Sequence, residues 1–180
     1  MEILSHYDFE TSFDKDVILK KCQKCINESA SSKNDLALGL QYNREILSSD
    51  SLNHSIRFLN DIVGNSLFTE ELIKKEQYIG KYTGTIRKND RRYGYPLNNY
   101  CYEYPVPDET GINYVIDGTN GNYTRFINHS NSPNIKPFYA FTEGLYHVIF
   151  LAIQDIPKGS QLFFDYGKTY WYIRGTPQVL

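Results

Sequence analysis

No apolar run in the 180 residues approaches the ~20 needed to cross a bilayer as a helix, so no helical membrane span is expected. Basic charge is not in surplus: 19 Lys+Arg stand against 21 Asp+Glu, a net charge of −2. Tight nonspecific binding to nucleic acid draws on released counterions and wants a cationic excess, so nucleic acid is not an expected partner. Cysteine is scarce. Three cysteines build no disulfide framework, which points to a reducing compartment. Cys22 and Cys25 form a C-x-x-C pair, but a zinc site needs two more ligands and no second C-x-x-C exists. The same spacing also suits two thiols packed on one helix face. The four histidines, His6, His54, His129 and His147, lack metal-ligand spacing, and no metal is expected. There is no G-x-G-x-x-G and no G-x-x-x-x-G-K-S/T, hence no readable phosphate cradle. The first ten residues carry Glu2, Asp8 and Glu10 and no apolar stretch, unlike a secretory leader.

What the chain has is hydrophobic content of 41%, enough to exclude wholesale disorder, and 16 tyrosines against one tryptophan and one methionine. Its length fits one domain, or one domain with a short appendage. Tyrosine joins a flat apolar body to a hydroxyl that donates or accepts, and many of these tyrosines fall after residue 77.

Residues 1–55 read as an N-terminal helical extension. Thr11 to Asp14 resembles a capping box, and Ile18, Cys22, Cys25 and Ile26 follow at helical spacing. Ser29 to Asn34 reads as a loop, Asp35 as the cap of a second helix carrying Leu36, Leu40 and Leu47, and Ser48 to Asn53 as a breaker. From residue 56 onward short strands replace helices. They are expected over Ile56–Val63, Ser66–Phe68, Gln77–Ile86, Tyr100–Tyr104, Asn113–Asp117, Tyr146–Ile153 and Gln161–Asp165, with Gly and Pro between them. The pattern is β-rich α+β, not a parallel α/β sheet.

Two segments stand out. One is Arg125-Phe-Ile-Asn-His-Ser-Asn-Ser-Pro-Asn134, a polar turn-forming stretch. The other is a Pro-Lys-Gly turn feeding Phe164-Asp-Tyr-Gly167, which delivers a tyrosine hydroxyl to a strand end. Residue chemistry alone assembles no triad here, because Ser130 and His129 are adjacent.

These segments resemble the SET-domain family of protein lysine methyltransferases, whose motifs read RFxNHSxxPN and a strand ending in FDYG. Ile79-Gly-Lys-Tyr-Thr-Gly84 is similar to the family's IxxYxG strand, Gly64-Asn-Ser-Leu-Phe-Thr69 to its GxGxFA segment, and Asp117-Gly-Thr119 with Gly121-Asn122 to its DAxxxGN stretch. The resemblance covers residues 56–171 and assigns residues 56–180 to a catalytic domain with a short closing segment. It implies short curved sheets with a C-terminal pseudoknot, S-adenosylmethionine as methyl donor, and a lysine of a protein or peptide, such as a histone tail, as acceptor. It implies catalytic roles for Tyr166 and Tyr82, and donor binding by Asn128, His129, Arg125, Phe126, Asn65, Phe68 and Trp171. Tyr100, Tyr102 and Phe164 become walls of the acceptor channel, although Tyr100 and Tyr102 also fit ordinary sheet packing. In relatives a Phe at position 164 leaves room for a methylated amine to turn, so di- or trimethylation is expected.

The sequence departs from the family at several points. Ser66 stands where a second glycine is usual, Lys81 where Glu is common, and Asn131 where Cys is frequent. No cysteine cluster follows Gly167, so a minimal, zinc-free member of bacterial or viral type is expected, a bacterial effector among the options. It would act in the cytoplasm or, if secreted, in a host nucleus. Ser66 keeps a second reading open: a catalytically weak scaffold that only binds peptide. A basic loop with Lys88, Arg91, Arg92, Tyr93 and Tyr95 fits a solvated loop, a substrate-reading insert or a nucleic-acid grip.

Overall fold

The structure, a computed structural model, describes residues 7–10, 12–28, 32–48, 52–89 and 98–175, without the side chains of 12–14, 173 and 174. The expected capping box and the core of the basic loop, Arg91, Arg92, Tyr93 and Tyr95, lie outside the described residues.

The elements run β1 (Tyr7–Phe9), α1 (Ser12–Glu28), α2 (Ser32–Gln41), α3 (Asn43–Leu47), β2 (His54–Asn60), β3 (Gly64–Thr69), β4 (Tyr78–Lys81), β5 (Gly84–Arg87), β6 (Cys101–Pro107) and β7 (Asn113–Asp117). Two short 3-10 turns follow, Gly118–Asn120 and Tyr123–Phe126, then β8 (Asn128–His129), β9 (Ile135–Thr142), β10 (Leu145–Ala152), β11 (Phe163–Phe164) and α4 (Lys168–Arg174). Four small sheets result, in the orders β1-β5-β7-β6, β4-β10-β9, β11-β8 and β2-β3. β10 is buried at all eight positions, as suits the middle strand of its sheet, and its apolar run from Val148 to Ala152 announces this.

Several elements differ from expectation. The strand expected over Gln77–Ile86 is two strands, β4 and β5, parted at Tyr82 and Thr83. α2 begins three residues before Asp35, so Asp35 lies buried in its first turn instead of capping it. β1, β8 and β9 were not anticipated. β9 contains Pro137, which disguises a strand, and reaches β10 through Glu143 (φ 52°) and Gly144 (φ 78°). Two consecutive positive φ values make a two-residue hairpin turn whose twist matches that of the strands.

The chain divides into two compact units. One comprises Met1–Ser48, Lys81–Arg125 and Tyr139–Ile149; the other comprises Ser49–Gly80, Phe126–Phe138 and Phe150–Leu180. The helical extension thus shares its unit with β5, β6 and β7.

Within that unit α1 buries Ile18, Cys22 and Ile26. The Cys22 thiol lies 3.4 Å from the Tyr104 hydroxyl, which accepts from the Tyr146 N–H at 3.2 Å. Burial pushes the Cys22 thiol up to about 11, so it packs as a neutral group. Cys25 is half-buried, and among the described residues no cluster of His, Cys, Asp or Glu could hold a metal. α2 approaches β9 closely at Gly39, where a Cβ would stand 1.9 Å from the Phe141 carbonyl oxygen. Asn43 Nδ2 donates to Thr142 Oγ1 at 2.6 Å. The other unit buries Leu67, Ile73, Ile127, Ile135, Phe150, Ile156, Leu162 and Phe164.

Candidate active site

β8 runs parallel to β11, Asn128 opposite Phe163 and His129 opposite Phe164. Two residues of ladder do not hold a strand by themselves, and the surrounding bonds do the rest. Ser130 N–H donates to the Phe164 carbonyl and Asn134 N–H to the Phe163 carbonyl, each at 3.2 Å. The Asn134 side chain accepts from Phe163 N–H at 2.9 Å and donates to the Gln161 carbonyl at 2.8 Å. An aspartate there would lack the donor. The polar segment read from sequence is thus sewn to the strand that ends in Asp165-Tyr166-Gly167.

Gly167 (φ 82°) donates its N–H to Asp165 Oδ1 at 2.8 Å, a tight turn that leads into α4. Tyr166 is gripped at both ends. Its N–H donates to His129 Nδ1 at 3.2 Å, and its hydroxyl donates to the Ile127 carbonyl at 2.8 Å. Because Nδ1 accepts, the neutral His129 ring carries its proton on Nε2. That nitrogen and Trp171 Nε1 are both buried without a hydrogen-bond partner among the described residues. Around the Tyr166 ring stand Phe164 (4.7 Å between centroids), Tyr170 (4.6 Å, edge-on) and Trp171 (6.0 Å, 11° between planes). His129 meets Trp171 edge-on at 5.0 Å, and Phe164 leans on Phe150 at 5.1 Å.

Asn128 Nδ2 donates to the Asn65 carbonyl at 3.4 Å and to Ser66 Oγ. This joins β8 to β3 and so to Asn65, one of the sequence-derived residues. Phe68, also on β3, lies half-buried under the Arg57 guanidinium, 4.3 Å above the ring centroid. Phe126 is half-buried at the end of its 3-10 turn.

In the other unit Tyr82 is 5% exposed, donates its hydroxyl to the Tyr100 carbonyl at 2.5 Å, and packs 5.6 Å from the Tyr102 ring. Gly118 makes room for it: a Cβ there would stand 2.6 Å from the Tyr82 hydroxyl. Burial, with Glu103 nearby, pushes the Tyr102 phenol up, so it stays neutral. Tyr100 does not alternate with Tyr102 on a strand as expected. It lies in the turn before β6, exposed, with Arg125's guanidinium 5.4 Å from its ring centroid. Arg125 also donates to the Thr119 carbonyl.

Sequence reading missed the group that fixes this turn. The Asp117 carboxylate accepts from Arg87 Nε (3.0 Å), Asn98 Nδ2 (2.9 Å), Thr119 N–H (3.1 Å) and Thr119 Oγ1 (2.6 Å). Burial alone would raise its pKa, but the bonds from Thr119, Asn98 and Arg87 outweigh it and hold the carboxyl at about 2. Lys81 was noted only as a departure. It is 5% exposed, and its ammonium donates to the Ile46 carbonyl at the end of α3. Its own carbonyl accepts from Asn122 Nδ2 (3.0 Å) and Thr124 Oγ1 (3.2 Å). The Ile127 carbonyl, Asn134, Tyr170 and the Ser66 hydroxyl also went without a site role, although Ile127, Asn134 and Ser66 lie within the motif stretches.

Comparison with known proteins agrees with these motifs. The SET domain family matches residues 64–167. The histone-lysine N-methyltransferase EZH2 of Chaetomium thermophilum is 31% identical over 116 residues, which is 59% of this chain and 8% of that protein. Histone-lysine N-methyltransferase Su(var)3-9 of Drosophila pseudoobscura pseudoobscura is 33% identical over 109 residues, 54% of this chain and 17% of that protein. The chain therefore spans a small fraction of these relatives' length. Among solved structures, KRYPTONITE in complex with mCHH DNA, an H3 peptide and SAH superposes with a TM-score of 0.57 at 25% identity, over 70% of this chain and 25% of that one. An apo ctPRC2 structure with a mutated Ezh2 gives 0.56 at 26% identity, over 69% of this chain and 16% of that one. With its β-rich architecture, its joined β8 and β11, and a family match over more than half its length, the chain belongs to the SET-domain family.

Proposed function

We propose that this chain is an S-adenosylmethionine-dependent protein-lysine N-methyltransferase that carries its acceptor to the di- or trimethylated state. The observation that carries the reading is Tyr166. Its hydroxyl is fixed on the Ile127 carbonyl, its ring is boxed by Phe164, Tyr170 and Trp171, and its backbone is tied to His129.

The donor set fits the cofactor. Two buried N–H groups without partners, on His129 and Trp171, and the amide of Asn128 suit a ligand with an amino-acid end, while the Trp171 face suits its adenine. When bound, S-adenosylmethionine supplies an electrophilic methyl on a cationic sulfur. Asn128 and His129 would hold it, with Phe126, Asn65, Phe68 and Trp171 beside them. Because the Tyr166 proton is committed to Ile127, the phenol oxygen offers lone pairs to polarised C–H or N–H groups and serves to orient. It is not suited to take the lysine proton, as a phenol ordinarily titrates near ~10. The acceptor ammonium must lose that proton beforehand, and a dry aromatic environment lowers its pKa. The resemblance assigns Tyr82 a catalytic role and Tyr100 and Tyr102 to the acceptor channel. Phe164, 7% exposed and without a hydroxyl, places no polar anchor beside Tyr166, which supports multiple methylation.

Histone tails are the proposed substrate class, supported by relatives named histone-lysine N-methyltransferases and a structural neighbour bound to an H3 peptide. Free Cys22, Cys25 and Cys101 support work in a reducing compartment, cytoplasm or nucleus. The test is incubation with methyl-labelled donor and histones, followed by mass spectrometry. Di- or trimethyl-lysine is expected. No incorporation, together with no calorimetric affinity for the donor, sinks the reading; monomethyl-lysine alone at long times sinks its multiplicity.

A further inference from the structure

Ser66 is the residue that, by sequence, argued most for a disabled scaffold. Its surroundings argue the reverse. It is fully buried on β3, and its hydroxyl oxygen accepts from Asn128 Nδ2. The Asn65 carbonyl accepts from the same nitrogen at 3.4 Å. A carbonyl has no proton to give, so the amide atom facing it must be the NH2. With Nδ2 held between two oxygens of β3, Oδ1 points away from them, and no described residue donates to it. The two contacts with β3 hold the Asn128 amide in this orientation.

We propose that Ser66 is a positioning residue for the methyl donor: its hydroxyl locks the Asn128 amide with Oδ1 presented as an acceptor for the donor's ammonium group. This rests on the methyltransferase reading above. A glycine at this position offers no side chain and would leave the orientation to the Asn65 carbonyl alone. The departure from the family pattern thereby becomes a built part of the site.

The test is calorimetric titration of the whole chain and its variants with S-adenosylhomocysteine and with methylthioadenosine, which keeps the thioether nucleoside but lacks the amino-acid end. Ser66→Ala is expected to weaken S-adenosylhomocysteine binding about tenfold, the loss expected for a loosened bond to a charged group. Methylthioadenosine binding should move by less than about twofold, a margin of under half a kcal/mol. In an Asn128→Ala background the same change should cost nothing further, because Ser66 acts only through that amide. Equal weakening of both ligands would mark a merely structural role and overturn the proposal, as would additive losses or an unchanged Ser66→Ala. If the unmodified chain binds neither ligand, the donor reading itself falls and this inference with it.

Discussion

Around Tyr166 the chain is held mainly by hydrogen bonds to particular backbone atoms; in the N-terminal extension it is held mainly by apolar side chains and one close backbone approach, with a few bonds such as Asn43 to Thr142 beside them. The first region has a pair of two-residue strands, and nearly every polar side chain in it has a fixed job: Asn134 bonds twice, His129 accepts once, Tyr166 donates twice. The second has Ile18, Cys22 and Ile26 on one helix face and Gly39 against Phe141. Exchanging one residue for another of similar size is therefore felt differently. Around Tyr166 it removes a specific bond and alters chemistry. In the extension it alters volume and hence stability.

The largest effect that would sharpen this contrast is Tyr166→Phe. Loss of the hydroxyl should lower methyl transfer by about a hundredfold or more, as for removal of a preorganised polar group, with little change in Tm. A large fall in Tm would erase the contrast. Next is Gly39→Ala. A methyl group 1.9 Å from a backbone oxygen cannot be accommodated by side-chain movement. We expect a loss of about 3 kcal/mol or more in denaturant unfolding, from overpacking against backbone. The fraction that remains folded should transfer methyl at a normal rate.

A smaller effect concerns Lys81, the charged residue tied to the Ile46 carbonyl of α3. Burial lowers its pKa to about 8 from 10.5. The charged form is penalised in the folded state, so the penalty is complete below about 8 and is relieved as pH rises from about 8 toward 10.5. The shift corresponds to roughly 3 kcal/mol, offset in part by the bond to Ile46. Lys81→Met should raise stability at neutral pH by about 1 kcal/mol. It should also flatten the rise between pH 8 and 9, the part of the window below the unfolded Cys22 thiol's pKa of 9.0. An unchanged pH profile would refute a buried, titrating Lys81. The smallest change in rate is expected for Phe164→Tyr, which should instead move the product toward monomethyl-lysine, read by mass spectrometry.

The same contrast governs what was legible beforehand. The Tyr166 region announced itself because its chemistry needs fixed residue types at fixed spacing, so motif strings survive. Helix α1 was legible from its 3.6-residue period, and β10 from its apolar run. β9 was not, because Pro137 interrupts it and its turn lacks the usual Asn-Gly signature. Tyr100 was misread because two tyrosines two apart look like one strand face, when Asn98 accepts from the Tyr100 N–H and the Cys101 N–H and keeps Tyr100 in a turn. The bonds from Asn128 to β3, the Asp117 cluster and the Lys81 cap were illegible for a common reason. Apart from the local bonds of Thr119 to Asp117, they join residues 19 to 63 positions apart, and one sequence carries no trace of such pairings.

The lone tryptophan of the chain, Trp171, lies against Tyr166 and edge-on to His129. Its ultraviolet emission therefore reports from the surroundings of Tyr166 and His129 alone, with no background from other indoles. A titration with S-adenosylhomocysteine can thus be followed by fluorescence on the unlabelled protein.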